Sequence, residues 1–167
     1  AQPKPLTPYG ADKLGCELHG RVASLVFSVP TIGFRFFNVY GPRQDPESPY
    51  SGVISIFADR LLQGQPIEIF GDGKQARDFI YVGDVVDMML RAMQISHPQC
   101  GVYNLCTGSM TTIEQLARTM AAILGQSASF SYAPSRPGDI RLSLGDPQKS
   151  RDRFQIGASV ELYEGLR

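Results

Sequence analysis

The 167-residue chain has no apolar run near the roughly 18 residues that a spanning helix requires, which excludes a helical membrane span. Its opening residues, Ala1-Gln2-Pro3-Lys4-Pro5, lack the apolar segment of a secretory signal. Lys and Arg together number 16, as do Asp and Glu. No basic excess marks a general nucleic-acid binder, although neutrality leaves room for a local basic pocket. The three cysteines, Cys16, Cys100 and Cys106, are odd in number and widely spaced. They fit neither a zinc ligand set nor a disulfide framework, and free thiols in a reducing cytoplasm are the expectation. The two histidines, His19 and His97, have no partner pattern, and neither is given a catalytic role. There is no internal repeat, low-complexity tract or obvious linker. What remains, 43% hydrophobic and 19% charged, is the profile of a globular chain long enough for a substantial core.

Patterning along the chain alternates between helix and strand. Pro3, Pro5 and Pro8 keep the start extended, and Leu14, Leu18, Val22 and Leu25 predict a helix from about Thr7–Tyr9 to Phe27. The apolar run Thr31 to Val39 predicts one continuous, buried strand of a parallel sheet. A polar loop, residues 41–49, breaks it, and loops this long are often functional. A helix is expected over Val53–Leu62, a short strand over Ile67–Phe70, a turn at Gly71-Asp72-Gly73 and a strand over Asp78–Val82. There follow a helix over Asp84–Gln94, a strand over Gly101–Cys106 and a helix over Ile113–Leu124, capped by Thr112 and stopped by Gly125. A strand over Phe130–Ala133, a helix opened by Asp146-Pro147 and a helix over Val160–Leu166 complete an α/β pattern.

Tyr9 and Lys13 stand at i and i+4, on one face of the first helix. A phenol ordinarily titrates near pH ~10, and an adjacent ammonium favours the phenolate. Such a pair can remove a proton from a sugar hydroxyl. Alone the spacing is common in helices and carries little weight. Its surroundings are more specific. Pro8-Tyr9-Gly10-Ala11-Asp12-Lys13 is similar to the YxxxK segment of extended short-chain dehydrogenases. Phe34 to Gln44, Ile69-Phe70-Gly71-Asp72-Gly73, Arg77-Asp78-Phe79-Ile80-Tyr81-Val82, Tyr103-Asn104-Leu105, Arg136-Pro137-Gly138-Asp139-Ile140 and Asp146-Pro147 continue in that family's order. The chain thus resembles the C-terminal half of an NAD-dependent nucleotide-sugar epimerase of the UDP-hexose 4-epimerase type, in the extended short-chain dehydrogenase/reductase family.

The resemblance implies roles. Tyr9 would be the catalytic base, and Lys13 the residue that tunes it and holds the nicotinamide ribose. Phe36, with Phe37, would wall the nicotinamide and sugar, unless both simply pack in a core. Asn38 would hydrogen-bond the substrate near its phosphates. Arg77 and Arg136 would clamp the diphosphate, a task suited to the planar guanidinium fork. Phe70 would stack on the base, Glu68 would present backbone atoms to the uracil edge, and Asp139 would accept from the nucleotide ribose, the alternative being a turn cap after Gly138. Gly52 and Val53 fall where the substrate loop enters its helix, and a helix N-terminus suits a polar ligand.

The fold implied is the C-terminal part of a Rossmann-like enzyme with its substrate lobe. Residues 1–50 would be a remnant of the dinucleotide-binding domain, and residues 51–167 mainly the substrate lobe, with some segments returning to the Rossmann sheet. A dinucleotide site needs a Gly-rich turn between strand and helix and a later acidic residue, and neither is visible. The family carries them before the YxxxK segment. The expectations are therefore that this isolated chain retains no NAD, is inactive alone, binds a UDP-sugar and self-associates into a homo-oligomer, with no nucleic-acid or membrane partner. Two other readings stand beside this one: a non-catalytic fragment that binds nucleotide-sugar weakly or pairs with itself, and a nucleotide-sugar 4,6-dehydratase. The second is disfavoured because Arg136-Pro137-Gly138-Asp139-Ile140-Arg141-Leu142 lacks the His and Tyr of the dehydratase motif.

Overall fold

A computed structural model describes residues 3–48, 51–96 and 100–167. His97 and the Pro49 end of the polar loop lie outside the described residues. Helix α1 (Pro8–Phe27) starts as its sequence dictates: the Thr7 side chain accepts from Gly10 N at 3.1 Å, and Pro8, which has no N–H to satisfy, stands at the first helical position. None of its residues is buried.

The run expected as one buried strand is divided. Strand β1 (Ile32–Phe36) pairs in parallel with β6 (Gly101–Leu105), whereas β2 (Asn38–Tyr40) pairs in parallel with β5 (Phe79–Tyr81). The change of partner falls at Phe37. Its N–H still donates to Leu105 O at 3.1 Å, and the next one, Asn38 N, donates to Asp78 O at 3.0 Å. An apolar, aromatic run predicts an extended segment but not which neighbour takes its hydrogen bonds. Nor is β1 buried: its residues are half-exposed, and Phe36 is 51% exposed, since β6 is its one strand neighbour among the described residues.

Helix α2 (Val53–Leu62) turns Ile54, Phe57 and Leu61 inward at helical spacing. Strand β3 (Ile67–Phe70) follows with Ile67 and Ile69 fully buried, then β4 (Ala76–Arg77) and β5. Helix α3 (Val82–Met93) starts directly after Tyr81, two residues before the expected Asp84. Asp84 is buried in its first turn, where the carboxylate accepts from Ser159 N, Ser159 Oγ and Val160 N. After β6 come β7 (Thr111–Thr112) and α4 (Ile113–Ile123). Thr112 and Gln115 form a reciprocal capping box, at 3.1 and 3.0 Å, as the Thr cap anticipated. Strand β8 (Phe130–Ala133) pairs in parallel with β3, and β9 (Leu142–Ser143) completes a small sheet in the order β7-β4-β9. The two-residue strands β4, β7 and β9 have no periodic signature and were not expected. Helix α5 (Gln148–Phe154) is opened by Asp146, whose carboxylate accepts from Gln148 N. The last helix, α6 (Leu162–Gly165), is shorter than predicted.

The apolar residues form separate clusters. One joins α2, β3 and α4 through Phe57, Leu61, Ile67, Ile69, Leu116 and Met120. Others join β6 to α3 and α5 through Val85, Met88 and Leu105, and through Tyr103 and Phe154. The β2–β5 ladder lies between them, since Tyr40 and Phe79 belong to the first cluster and Ile80 to the second. No helix among the described residues is long and apolar enough to cross a membrane.

Candidate functional site

Side chains from residue 38 to residue 139 meet at one cavity of about 540 Å³. Asn38 enters from β2, Val53 from the start of α2, Glu68 and Phe70 from β3, Arg77 from β4, and Arg136 and Asp139 from the segment between β8 and β9. Gly52 lines a smaller adjoining cavity of about 210 Å³, which shares Asn38 and Val53 with the first and also takes Phe37. Asn38, Gly52, Val53, Glu68, Phe70, Arg77, Arg136 and Asp139 are thus gathered at two adjoining cavities.

The polar groups are held by specific contacts. The Asn38 amide donates to Asp78 O at 3.2 Å, the same carbonyl that accepts from Asn38 N. Arg77 directs one guanidinium nitrogen to Asp139 Oδ1 at 2.5 Å, and the other to the carbonyls of Ala76 at 2.9 Å and Ile140 at 2.5 Å. Arg136 lies over the Phe70 ring, 3.7 Å from its centroid, a cation–π stack. Arg141 grips Asp72 through two bonds, at 2.7 and 2.9 Å, and these, with the Lys74 N–H, lower the Asp72 pKa to about 2.

Two residues that hold this site together escaped sequence reasoning. Gln75 is buried, lines the cavity and donates to Phe70 O, which fixes the turn after β3. Asp78 is 0% exposed. Its carboxylate accepts from Thr107 N at 2.9 Å, Thr107 Oγ1 at 2.7 Å, Gly108 N at 2.9 Å and Gly145 N at 3.4 Å. Two distant chain segments, 107–108 and 145, therefore converge on one side chain between Arg77 and β5. The available signal was an acid at the edge of an apolar run, Phe79-Ile80-Tyr81-Val82, where a buried charge must be paired or hydrogen-bonded.

Tyr9 and Lys13 line none of these cavities. They share one face of α1, as the spacing requires, with Lys13 Nζ 5.2 Å from the centroid of the Tyr9 ring. Tyr9 is 66% exposed. Phe36 does not line the main cavity and packs at a tilt near Phe34, ring centroids 6.3 Å apart. His19 is exposed on α1. A separate cavity of about 690 Å³ lies between α1, β1 and β6, bounded by the Glu17–Arg35 ion pair at 2.7 Å and by Cys100. Hydrogen bonding with the Ser24 hydroxyl and from Thr31 N holds the Cys100 thiol below its ordinary range, whereas burial pushes that of Cys106 up to about 12. All three cysteines are free. Among the described residues no group of three His, Cys, Asp or Glu side chains could hold a metal.

Parallel strand pairs with covering helices make this an α/β protein, and its main cavity combines an aromatic face with two guanidinium groups. Residues 1–106 match the NAD dependent epimerase/dehydratase family, and the chain belongs to it. It is similar to a UDP-glucose 4-epimerase of Mycolicibacterium smegmatis, 35% identical over 97% of this chain and 51% of the relative. Among solved structures it resembles the UDP-glucose 4-epimerase of Thermotoga maritima with UDP-glucose, with a TM-score of 0.93 and 38% identity over 98% of this chain and 52% of that one. It also resembles the Thermus thermophilus UDP-glucose 4-epimerase complexed with NAD, with a TM-score of 0.90 and 34% identity over 99% and 53%. The chain spans about half the length of the curated relatives it matches.

Proposed function

We propose that this chain carries the nucleotide-sugar side of an NAD-dependent UDP-hexose 4-epimerase. The carrying observation is the convergence of Asn38, Val53, Glu68, Phe70, Arg77, Arg136 and Asp139 on one cavity. No local interaction in the sequence demands it, because these residues come from five separate segments. In this reading Arg77 and Arg136 hold the two phosphates, Phe70 offers its face to the base and Glu68 its backbone to the base edge. Asp139 accepts from the ribose, and Asn38 donates near the phosphates. Gly52 and Val53 bring the N-terminal end of α2, with its free N–H groups, toward the ligand. Residues 1–50 belong to the dinucleotide-binding unit and residues 51–167 mainly to the substrate lobe.

Toward NAD the chain offers Tyr9, Lys13 and Phe36. Among the described residues no Gly-rich turn follows a strand and opens a helix, since the Gly71–Gly73 turn leads into β4. The described residues therefore offer the pyrophosphate of a dinucleotide no such cradle. NAD, when bound, supplies the hydride chemistry. The part of this chain is to clamp the nucleotide, orient the sugar and exchange a proton between the Tyr9 hydroxyl and a sugar hydroxyl, with Lys13 beside it. As the isolated 167-residue polypeptide it does not retain NAD and does not epimerise. Gel filtration followed by cofactor release checks this, and one NAD per chain would refute it. The exposed Leu18, Val22, Leu25, Val26 and Phe27 of α1 support self-association of that polypeptide. Light scattering tests this, and a stable monomer would end that part of the reading. The three free thiols fit a reducing cytoplasm.

Titration calorimetry with UDP decides the main reading. Arg77→Ala and Arg136→Ala are each expected to weaken binding by about 1.5–3 kcal/mol, the range for hydrogen bonds to charged groups. Tyr9→Phe should leave it unchanged, since Tyr9 lies outside the cavity. A folded parent that binds no UDP overturns the reading, and equal affinity in the parent and both Arg variants places the pocket elsewhere.

A further inference from the structure

We infer that residues 136–140 form a self-occluding strap, whose own Asp139 occupies Arg77 and whose own Arg136 occupies Phe70 until a nucleotide diphosphate exchanges with both. The inference rests on the reading above that this cavity takes such a ligand.

Arg77 grips a phosphate best by presenting a pair of N–H groups in one plane. Here both terminal nitrogens are committed, one to the Asp139 carboxylate and the other to the carbonyls of Ala76 and Ile140. Two of these three acceptors belong to the strap. The Arg77 side chain keeps only 15% of its exposure, so little water competes for its donors. The Phe70 ring is engaged in the same way. The Arg136 guanidinium lies over its face, 3.7 Å from the centroid, where a base would stack. A carboxylate in place of a phosphate and a guanidinium in place of a base both come from one short segment.

That segment is built to lift. Asp139 N donates to Arg136 O at 3.2 Å across a turn whose Gly138 has φ 78°, a backbone conformation that side-chain-bearing residues rarely adopt. Its two roots are fixed. At one, β8 is held to β3, and Gly71 N donates to Ala133 O at 2.8 Å. At the other, Ala76 N donates to Arg141 O at 3.0 Å while the Arg141 side chain grips Asp72. Between the roots, residues 134–140 are exposed. The turn can therefore shift so that Asp139 leaves Arg77 and Arg136 leaves the Phe70 face, both staying at the cavity, without breaking either sheet.

Inorganic pyrophosphate is the discriminating probe, because it carries the diphosphate but neither base nor ribose. Calorimetric titration compares the whole 167-residue chain with Asp139→Asn and with Asp139→Asn combined with Arg77→Ala, each verified by its thermal melt. The strap requires Asp139→Asn to bind pyrophosphate about two- to fivefold more tightly than the parent, the size expected of releasing a partly exposed ion pair. It also requires the gain to vanish when Arg77 is removed. Unchanged pyrophosphate affinity, absence of pyrophosphate binding in both the parent and Asp139→Asn, or a gain that survives loss of Arg77 overturns the strap. If UDP binding still depends on Arg77 and Arg136 in that event, the nucleotide pocket stands and only the strap falls. A folded parent that binds no UDP removes both.

Discussion

Replacing Asp78 with Asn changes one oxygen to an NH2 group and should destabilise the protein more than most single substitutions. The side chain is fully buried, with Oδ1 accepting from Thr107 N and Thr107 Oγ1 and Oδ2 accepting from Gly108 N and, at 3.4 Å, Gly145 N. An amide oriented to keep the Thr107 bonds turns its own N–H groups toward the N–H groups of Gly108 and Gly145. The flipped amide instead faces Thr107 N. Either way a charge-assisted bond is lost and buried donors are left facing donors, at about 1–3 kcal/mol for each unsatisfied group. Since such effects are not additive, about 3–5 kcal/mol is expected, a large share of a total stability of about 5–15 kcal/mol. Urea unfolding followed by circular dichroism measures it as a lower midpoint at unchanged slope. The Asp78 carbonyl also accepts from the Asn38 backbone and side chain, so UDP affinity should fall in the fraction that remains folded. A loss of stability under about 1 kcal/mol would show that the carboxylate is not the anchor the structure makes it.

Tyr40→Phe should leave stability unchanged or raise it by about 1 kcal/mol, because the Tyr40 hydroxyl is buried without a partner and burial pushes its pKa up to about 12. A measured loss above that size by the same unfolding assay would show that the hydroxyl makes a hydrogen bond in solution. Gly145→Ala should cost about 1–3 kcal/mol or more, since a Cβ there would run into Cys106 Sγ and the Phe37 ring, at 2.7 Å from Phe37 Cζ. A neutral melt would mean that the loop at 144–146 yields readily. The Asp72–Arg141 grip should persist through ordinary acid. The folded pKa of Asp72, about 2, lies below its ordinary 3.8, so its contribution is complete above about pH 4 and is lost as pH falls toward 2. Hydrogen exchange at Ala76 N, which bonds to Arg141 O, reports the loosening. Protection that collapses already near pH 5 would contradict it.

Much of this protein was determined by the sequence alone, and for local reasons. The capped start of α1 at Thr7-Pro8, the box at Thr112 and Gln115, and the inward stripe of α2 each depend on residues within a few positions of one another. The Tyr9–Lys13 pairing follows from the helical repeat in the same way. The order of motifs also led to the family and to the residues that line the cavity. Tertiary structure decided what local chemistry leaves open. The run from Thr31 to Val39 reads as extended, but only the competing edges of β6 and β5 divide it at Phe37. Asp78 reads as an acid beside a strand, yet its role depends on donors 29, 30 and 67 residues away. Arg77 and Asp139 were both assigned to a ligand, and only their approach across 62 residues shows that they pair with each other. A periodicity records which face of an element is apolar. It does not record which distant backbone groups complete the hydrogen bonds of that element, and in this fold those long-range bonds both split the strand and close the strap over the site.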